Sequence, residues 1–220
     1  MTKQCKANDP ICIWVVGCST GEEVYSIAIC LLEFLTNQEI NIPIQIFARD
    51  FNEVAIEKAR TGVFKLHQVA EISPERLKRF FVHVDGGYQI SKLVRELCIF
   101  TRQNLISDPP FFQLDLITCL NVLIYLGSTA RQKLLPIFHY SLRPTGFLML
   151  GISELLNKFT GLFNVVDKKY KIYGCKIAYT WLAIEPITSN YLVETTQFPL
   201  LISNNVWNDV EIHKEADRIL

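Results

Sequence analysis

Residues Ile11-Cys12-Ile13-Trp14-Val15-Val16-Gly17-Cys18-Ser19-Thr20-Gly21-Glu22-Glu23 decide the fold class. An unbroken apolar run that ends at a glycine reads as a strand buried on both faces, as in a parallel sheet. Over residues 22–35 the apolar Val24, Ile27, Ala28, Leu31 and Leu35 recur at helical spacing, which gives a helix with one core face. Strand, glycine turn and helix open a βαβ unit, and the glycines let backbone approach a nucleotide-like ligand at the carboxyl edge of the sheet.

The rhythm continues on either side. Ile44-Gln45-Ile46-Phe47-Ala48 is the second strand and ends in Arg49-Asp50; Asn52 then caps a helix over 53–60 that stops at Gly62. Residues 63–100 break the pattern. Ser73-Pro74-Glu75 starts a helix, and Phe81-Val82-His83-Val84 and Tyr88-Gln89-Ile90 flank the hairpin signal Asp85-Gly86-Gly87. This predicts a small antiparallel insert. Cys98-Ile99-Phe100 reads equally as its last strand or as the third strand of the main sheet.

The main pattern returns with the strand Leu114-Asp115-Leu116-Ile117-Thr118-Cys119 and a helix capped by Ser128 that runs to about Leu142. Pro144-Thr145-Gly146 turns into the strand Phe147-Leu148-Met149-Leu150, and a closing hairpin pairs residues 163–166 with 170–173. Beyond Cys175 the periodicity weakens into an irregular tail, with helical character over 209–220. The expected organisation is one α/β domain over 11–174 with the insert at 63–100, followed by a tail over 175–220.

Lysine plus arginine (22) balance aspartate plus glutamate (22), so overall charge points to neither nucleic acid nor an anionic membrane. The longest uncharged run, residues 116–130, contains Asn121 and Gly127; at 15 residues it is shorter than the roughly 18 of a membrane span. Residues 1–10 hold no apolar segment of the kind a secretory leader carries. The seven cysteines, at 5, 12, 18, 30, 98, 119 and 175, lack CxxC spacing, and their odd number reads as reduced core thiols of a cytosolic protein. His67, His83, His139 and His213 lie far apart, so no metal site is expected.

Three ligand classes compete for the glycine turn. A phosphate-binding loop needs Gly-Lys-Ser/Thr, whereas Gly21 precedes Glu22-Glu23, two carboxylates that suit a helix N-terminus but repel phosphates. A dinucleotide site needs G-x-G-x-x-G, which is absent. A cationic sulfonium cofactor with an amino group, S-adenosylmethionine, tolerates and uses nearby carboxylates. The plainer alternative is a helix capped by Ser19 or Thr20 with ordinary acidic first-turn residues. Asp50, 29 residues past Gly21, can accept hydrogen bonds from both ribose hydroxyls of an adenosine or serve only as a cap. Asn104-Leu105 and Asn121 follow the next two strands, where either asparagine can bond the adenine or the methionine moiety.

In order and spacing, three motifs resemble the signatures of the chemotaxis receptor methyltransferases, the CheR family: Gly17-Cys18-Ser19-Thr20-Gly21-Glu22-Glu23-Val24-Tyr25-Ser26, Cys119-Leu120-Asn121-Val122-Leu123-Ile124-Tyr125-Leu126 and Gly151-Ile152-Ser153-Glu154. The resemblance covers roughly residues 11–174. It implies a Rossmann-like class I S-adenosylmethionine-dependent methyltransferase fold and methyl transfer to glutamates on the cytoplasmic signalling helices of chemoreceptors. By resemblance, Gly17, Cys18, Ser19, Thr20 and Gly21 form the cofactor turn, and Glu23 and Asp50 hold the cofactor's polar groups. Asn104, Leu105, Leu120 and Asn121 surround its adenine and sulfonium regions, and Tyr125 stands beside the transfer channel as the catalytic residue. The insert is implied to dock on the receptor; residues 61–103 hold seven Lys/Arg against four Asp/Glu, which suits an acidic partner.

The sequence departs from the family in three places. No counterpart is found of its N-terminal helical domain, whose Thr-x-Phe-Phe-Arg segment reaches the cofactor. Leu120 stands where the family carries Arg, and Arg49 where a small Thr or Ser precedes the acidic residue. These departures also admit a catalytically weak docking module; a small-molecule methyltransferase fits the insert less well. Residues 211–220 resemble the start of the linker to sensory PAS domains in CheB/CheR fusion proteins, and read otherwise as a frayed terminal helix. Fusion to PAS or kinase domains is therefore expected.

Overall fold

The computed structural model describes residues 9–105, 108–151 and 161–176. In chain order these run β1 (Ile11–Val16), α1 (Glu22–Asn37), β2 (Ile44–Asp50), α2 (Glu53–Thr61), β3 (Val63–Phe64), α3 (Pro74–Phe80), β4 (Phe81–Val84), β5 (Gly87–Ile90), α4 (Lys92–Arg95), β6 (Cys98–Arg102), β7 (Leu114–Cys119), α5 (Ser128–Ser141), β8 (Leu142–Leu150), β9 (Phe163–Asp167) and β10 (Ile172–Cys175). The main sheet has the order β6-β2-β1-β7-β8-β10-β9; its first five strands are parallel, and β10 is antiparallel to both neighbours. This is the Rossmann-like class I S-adenosylmethionine-dependent methyltransferase architecture that the sequence predicts.

Strand alternation divides the core. Ile11, Ile13 and Val15 of β1 lie on the face covered by α1 and α2, against Val24, Tyr25, Ala28, Ile56 and Ala59. Trp14 and Val16 lie on the other, against Leu134, Leu135 and Phe138 of α5. A strand covered on both sides has to be apolar at every position, and residues 11–16 therefore form one continuous run. In β2, Ile44, Ile46 and Ala48 take the first face and Phe47 the second. Arg49 shares the parity of Phe47.

At the amino edge, Asp115 of β7 accepts the Cys12 N–H at 2.9 Å and pairs with Arg143 of β8 at 3.2 Å, which ties three strands together. Both charged side chains are largely buried. Asp115→Ala strands the guanidinium and the Cys12 N–H together, for an expected loss of about 2–4 kcal/mol. Urea denaturation with an unchanged m-value checks it, and a loss below about 1 kcal/mol would refute this reading of the tie.

The insert folds as an antiparallel sheet of order β3-β5-β4. Ser73 caps α3 by accepting the Arg76 N–H at 3.4 Å, with Pro74 as the first helical residue. Phe64, Val69, Phe80, Phe81, Ile90 and Val94 join the α1 side of the core. On the surface Arg76 grips Glu33 of α1 through Nε and Nη2 at 2.8 and 2.6 Å, and Arg79 donates to Thr36 at 3.2 Å. β6, open to either assignment in the sequence, pairs parallel with β2 and belongs to the main sheet.

Four expectations need correction. β8 begins at Leu142, not at Phe147: Pro144-Thr145-Gly146 is absorbed as an irregularity, where the register with β7 slips between Leu114 and Leu116. Gly127, extended and without a side-chain bond, occupies the cap position of α5, so Ser128 is its first residue. The helices run on to Asn37 and Thr61. Cys30 is exposed on α1, unlike the buried Cys18 and Cys119. The readings made of residues 152–154 and of the tail beyond Lys176 lie outside the described residues. Among the described residues no helix is long and apolar enough to cross a membrane.

Candidate functional site

Four strands end side by side. The register pairs Val16 with Arg49 and with Cys119, and Asp50 with Arg102, so the residues that follow β1, β2, β6 and β7 meet along one carboxyl edge. Open α/β sheets bind ligands at that edge. Gly17 to Gly21, Asp50, Asn104, Leu105, Leu120 and Asn121 end or follow these strands and so lie along that edge, with Glu23 in the first turn of α1 beside it.

The turn after β1 is wound tightly. The N–H groups of Gly17 and Cys18 donate to the Arg49 carbonyl at 2.8 and 3.1 Å, and that of Gly21 to the Cys18 carbonyl at 2.9 Å. Gly17 (φ 68°) and Gly21 (φ 92°) take left-handed backbone, and a Cβ on Gly17 would collide with the Val122 side chain. Gly21, with no side-chain bond, occupies the cap position of α1, which sets aside the reading of Ser19 or Thr20 as the cap. Ser19 is left-handed as well, at φ 47°, which costs a non-glycine residue roughly 1 kcal/mol. Its N–H donates to Asp50 Oδ2 at 2.8 Å, while the Asn52 N–H donates to Oδ1 at 2.8 Å. A carboxylate offers about four lone-pair directions, so Asp50 shapes the turn and keeps capacity to accept a ligand's hydroxyls.

Carboxylates dominate the electrostatics. Thr20 Oγ1 donates to Glu22 at 2.7 and 2.6 Å, and the buried Thr118 hydroxyl of β7 donates to Glu23. Burial, then Asp50 and the two glutamates, push the Cys18 thiol up to about 12. The field that disfavours a thiolate favours a cation, so a sulfonium carrying an ammonium fits this turn and a polyphosphate does not. Cys18 is thus a packing residue and not a nucleophile.

Beyond β6, the Asn104 N–H donates to Asp108 Oδ2 at 2.6 Å and the Asp108 N–H returns to the Asn104 carbonyl at 3.0 Å. Asn104 is exposed, and Leu105 packs into the core on the α5 side. After β7, Asn121 is exposed at φ 59°, a conformation asparagine tolerates better than most residues. Leu120 is half-buried. Tyr125 ends the 3-10 turn Leu123–Tyr125 and is 83% exposed, the most open large apolar side chain among the described residues.

Arg49 does not enter the ribose side of the cleft. It projects from the opposite face of β2 to Asp50, with its guanidinium carbon 3.6 Å from the Phe111 ring centroid. Sequence reading missed this contact, the Thr118–Glu23 bond and the Val122 packing. Strand parity carried the first signal, since Phe47 and Arg49 share a face.

Similarity to known proteins places the chain in a family. The model of the family "CheR methyltransferase, SAM binding domain" matches residues 1–172. The chain is 34% identical over 186 residues to a 104.1 kDa protein from the hypE 3′ region of Rhodobacter capsulatus, covering 84% of this chain and 19% of that protein. It is 35% identical over 157 residues to chemotaxis protein methyltransferase 2 of Vibrio cholerae, covering 70% of this chain and 54% of that one. It is 37% identical over 161 residues to the chemotaxis protein methyltransferase of Vibrio parahaemolyticus, covering 71% and 58%. The chain thus spans little more than half the length of these two methyltransferases. On the matched family and the acidic glycine turn together, the chain belongs to the CheR methyltransferase family and carries its S-adenosylmethionine-binding domain.

Proposed function

We propose that residues 11–174 form the catalytic domain of a cytoplasmic protein-glutamate O-methyltransferase acting on chemoreceptors or related sensory proteins. The observation that carries this reading is the acidic turn after β1, with Asp50 locked to it and the basic antiparallel insert beside α1. The two chemotaxis methyltransferase relatives support the substrate class.

The cofactor supplies an electrophilic sulfonium methyl group when bound. Asp50 accepts from the ribose hydroxyls, and Glu23, oriented by Thr118, from the amino group. Asn104 and Leu105 flank the adenine, and Leu120 and Asn121 the sulfonium end. Tyr125, open to solvent, lines the approach of the receptor side chain. A glutamate carboxylate is already ionised at neutral pH, so no residue has to remove a proton. Alignment of the carboxylate with the methyl group, and exclusion of water, supply the acceleration. The insert, which ends before β6 and so runs from β3 to α4, holds the receptor helix through its excess of Lys and Arg. The tail from 175 leads toward fused PAS or kinase domains, a reading supported by the 104.1 kDa relative, of which this chain matches 19%.

Leu120, in the position of the family's Arg, favours a second reading as a docking module with little turnover. Calorimetry with S-adenosylhomocysteine and labelled-methyl transfer to receptor fragments separate the two: binding with transfer supports the enzyme, and binding without transfer supports the module. No binding at high micromolar ligand would sink the enzyme reading. Leu120→Arg is expected to raise the transfer rate about tenfold, roughly 1.4 kcal/mol of barrier, by restoring a cation at the cleft. An unchanged rate rejects Leu120 as the cause of weak turnover.

A further inference from the structure

In the strand order β2 and β1 lie between β6 and β7, and no helix occurs among the described residues of the connection, 103–113. Crossovers between parallel strands usually carry a helix that covers the sheet. Here Phe111 does the covering, stacked on Phe47 at 4.3 Å and edge-on to Trp14 at 5.6 Å. We propose that Arg49 is a positioning residue that clasps this connection to β2 and so holds Asn104, hydrogen-bonded to Asp108, at the nucleobase end of the candidate site. The inference rests on the cofactor site proposed above.

The clasp has two arms. Arg49 lays its guanidinium over Phe111 at 3.6 Å and donates from Nη1 to the Pro109 carbonyl at 3.3 Å. Gln103, only 4% exposed, donates to the same carbonyl at 3.1 Å, and its own N–H bonds the Asp50 carbonyl at 3.0 Å. Asp108, whose carboxylate accepts the Asn104 N–H, leads directly into the anchor Pro109-Pro110-Phe111, so fixing the anchor steadies Asn104. A planar guanidinium can stack on a ring and donate in its own plane at once, which a lysine ammonium cannot. Burial lowers the Arg49 pKa to about 10 while Asp108 opposes the fall; the group stays cationic at neutral pH. Buried Arg49 Nε and Gln103 Oε1 have no partner among the described residues.

The test compares S-adenosylhomocysteine with S-inosylhomocysteine, whose base carries a carbonyl in place of the amino group, on the full chain. In Arg49→Ser, S-adenosylhomocysteine should bind about tenfold more weakly and the preference over the inosine analogue should shrink at least about threefold, because Asn104 is held in place less of the time. Arg49→Met, which keeps the buried stem, should behave alike and decides the matter if Arg49→Ser does not fold. Unchanged affinity, or equal weakening of both ligands with the preference intact, overturns the proposal. If the parent chain binds neither ligand, the cofactor reading falls. The clasp is then judged by hydrogen exchange at the Asn104 and Asp108 amides: faster exchange in the variant supports it, and equal exchange overturns it.

Discussion

Asp50→Ala is expected to weaken S-adenosylhomocysteine binding at least about 100-fold by isothermal titration calorimetry. A carboxylate that accepts from two hydroxyls makes two charge-assisted bonds of about 1.5–3 kcal/mol each. A 100-fold loss is about 2.7 kcal/mol, so it stands as a floor even when water replaces part of what is removed. Asp50 also orders its own turn through Ser19 and Asn52. Those N–H groups lie near solvent and find water after the substitution, so stability should fall by only about 1 kcal/mol. The two measurements therefore separate: affinity collapses while the fold persists. Asp50→Asn keeps one carbonyl oxygen and should fall between. A folded Asp50→Ala that binds within about threefold of the parent would show that the ribose is held elsewhere.

Gly17→Ala should cost about 2–4 kcal/mol of stability in urea denaturation: about 1 for a left-handed non-glycine residue and about 1–3 for the collision with Val122. Gly86→Ala supplies the control, because Gly86 also has positive φ, 88°, but a Cβ there meets open space. Its cost should be the conformational part alone, about 1 kcal/mol. Adding Val122→Ala to Gly17→Ala should recover part of the difference. Equal costs at Gly17 and Gly86 would remove Val122 from the account. Because Val122 follows Asn121, the clash should also displace the loop after β7 and lower cofactor affinity.

Much of this was open to the sequence wherever one strand or turn dictates its own conformation. Residues 11–16 had to be apolar to lie between two layers, the apolar positions of 44–48 and 114–119 marked two more strands, and Asp85-Gly86-Gly87 had to turn. That the candidate site residues lie along one edge was legible because the carboxyl ends of neighbouring parallel strands meet there. β8 was shortened in the reading because Pro144-Thr145-Gly146 looks like a turn, and only the partner strand shows that a register slip accommodates it. Gly127 was passed over as the start of α5 because Ser128 beside it has the better capping side chain. Long-range pairs such as Thr118 with Glu23 and Arg49 with Phe111 stayed hidden, since each depends on two segments whose facing is set only once the sheet is assembled.

The grip of Arg76 on Glu33 makes α1 a ruler. The helix starts at the cofactor turn, and Glu33 lies 11 residues beyond Glu22, about 16 Å along the axis. On the proposed reading, the distance from a helix held by the insert to the cofactor turn would be set by a number of helical turns. Lengthening α1 by one turn before Glu33 would shift that distance by about 5.4 Å, and with it which side chain of a docked helix comes into reach.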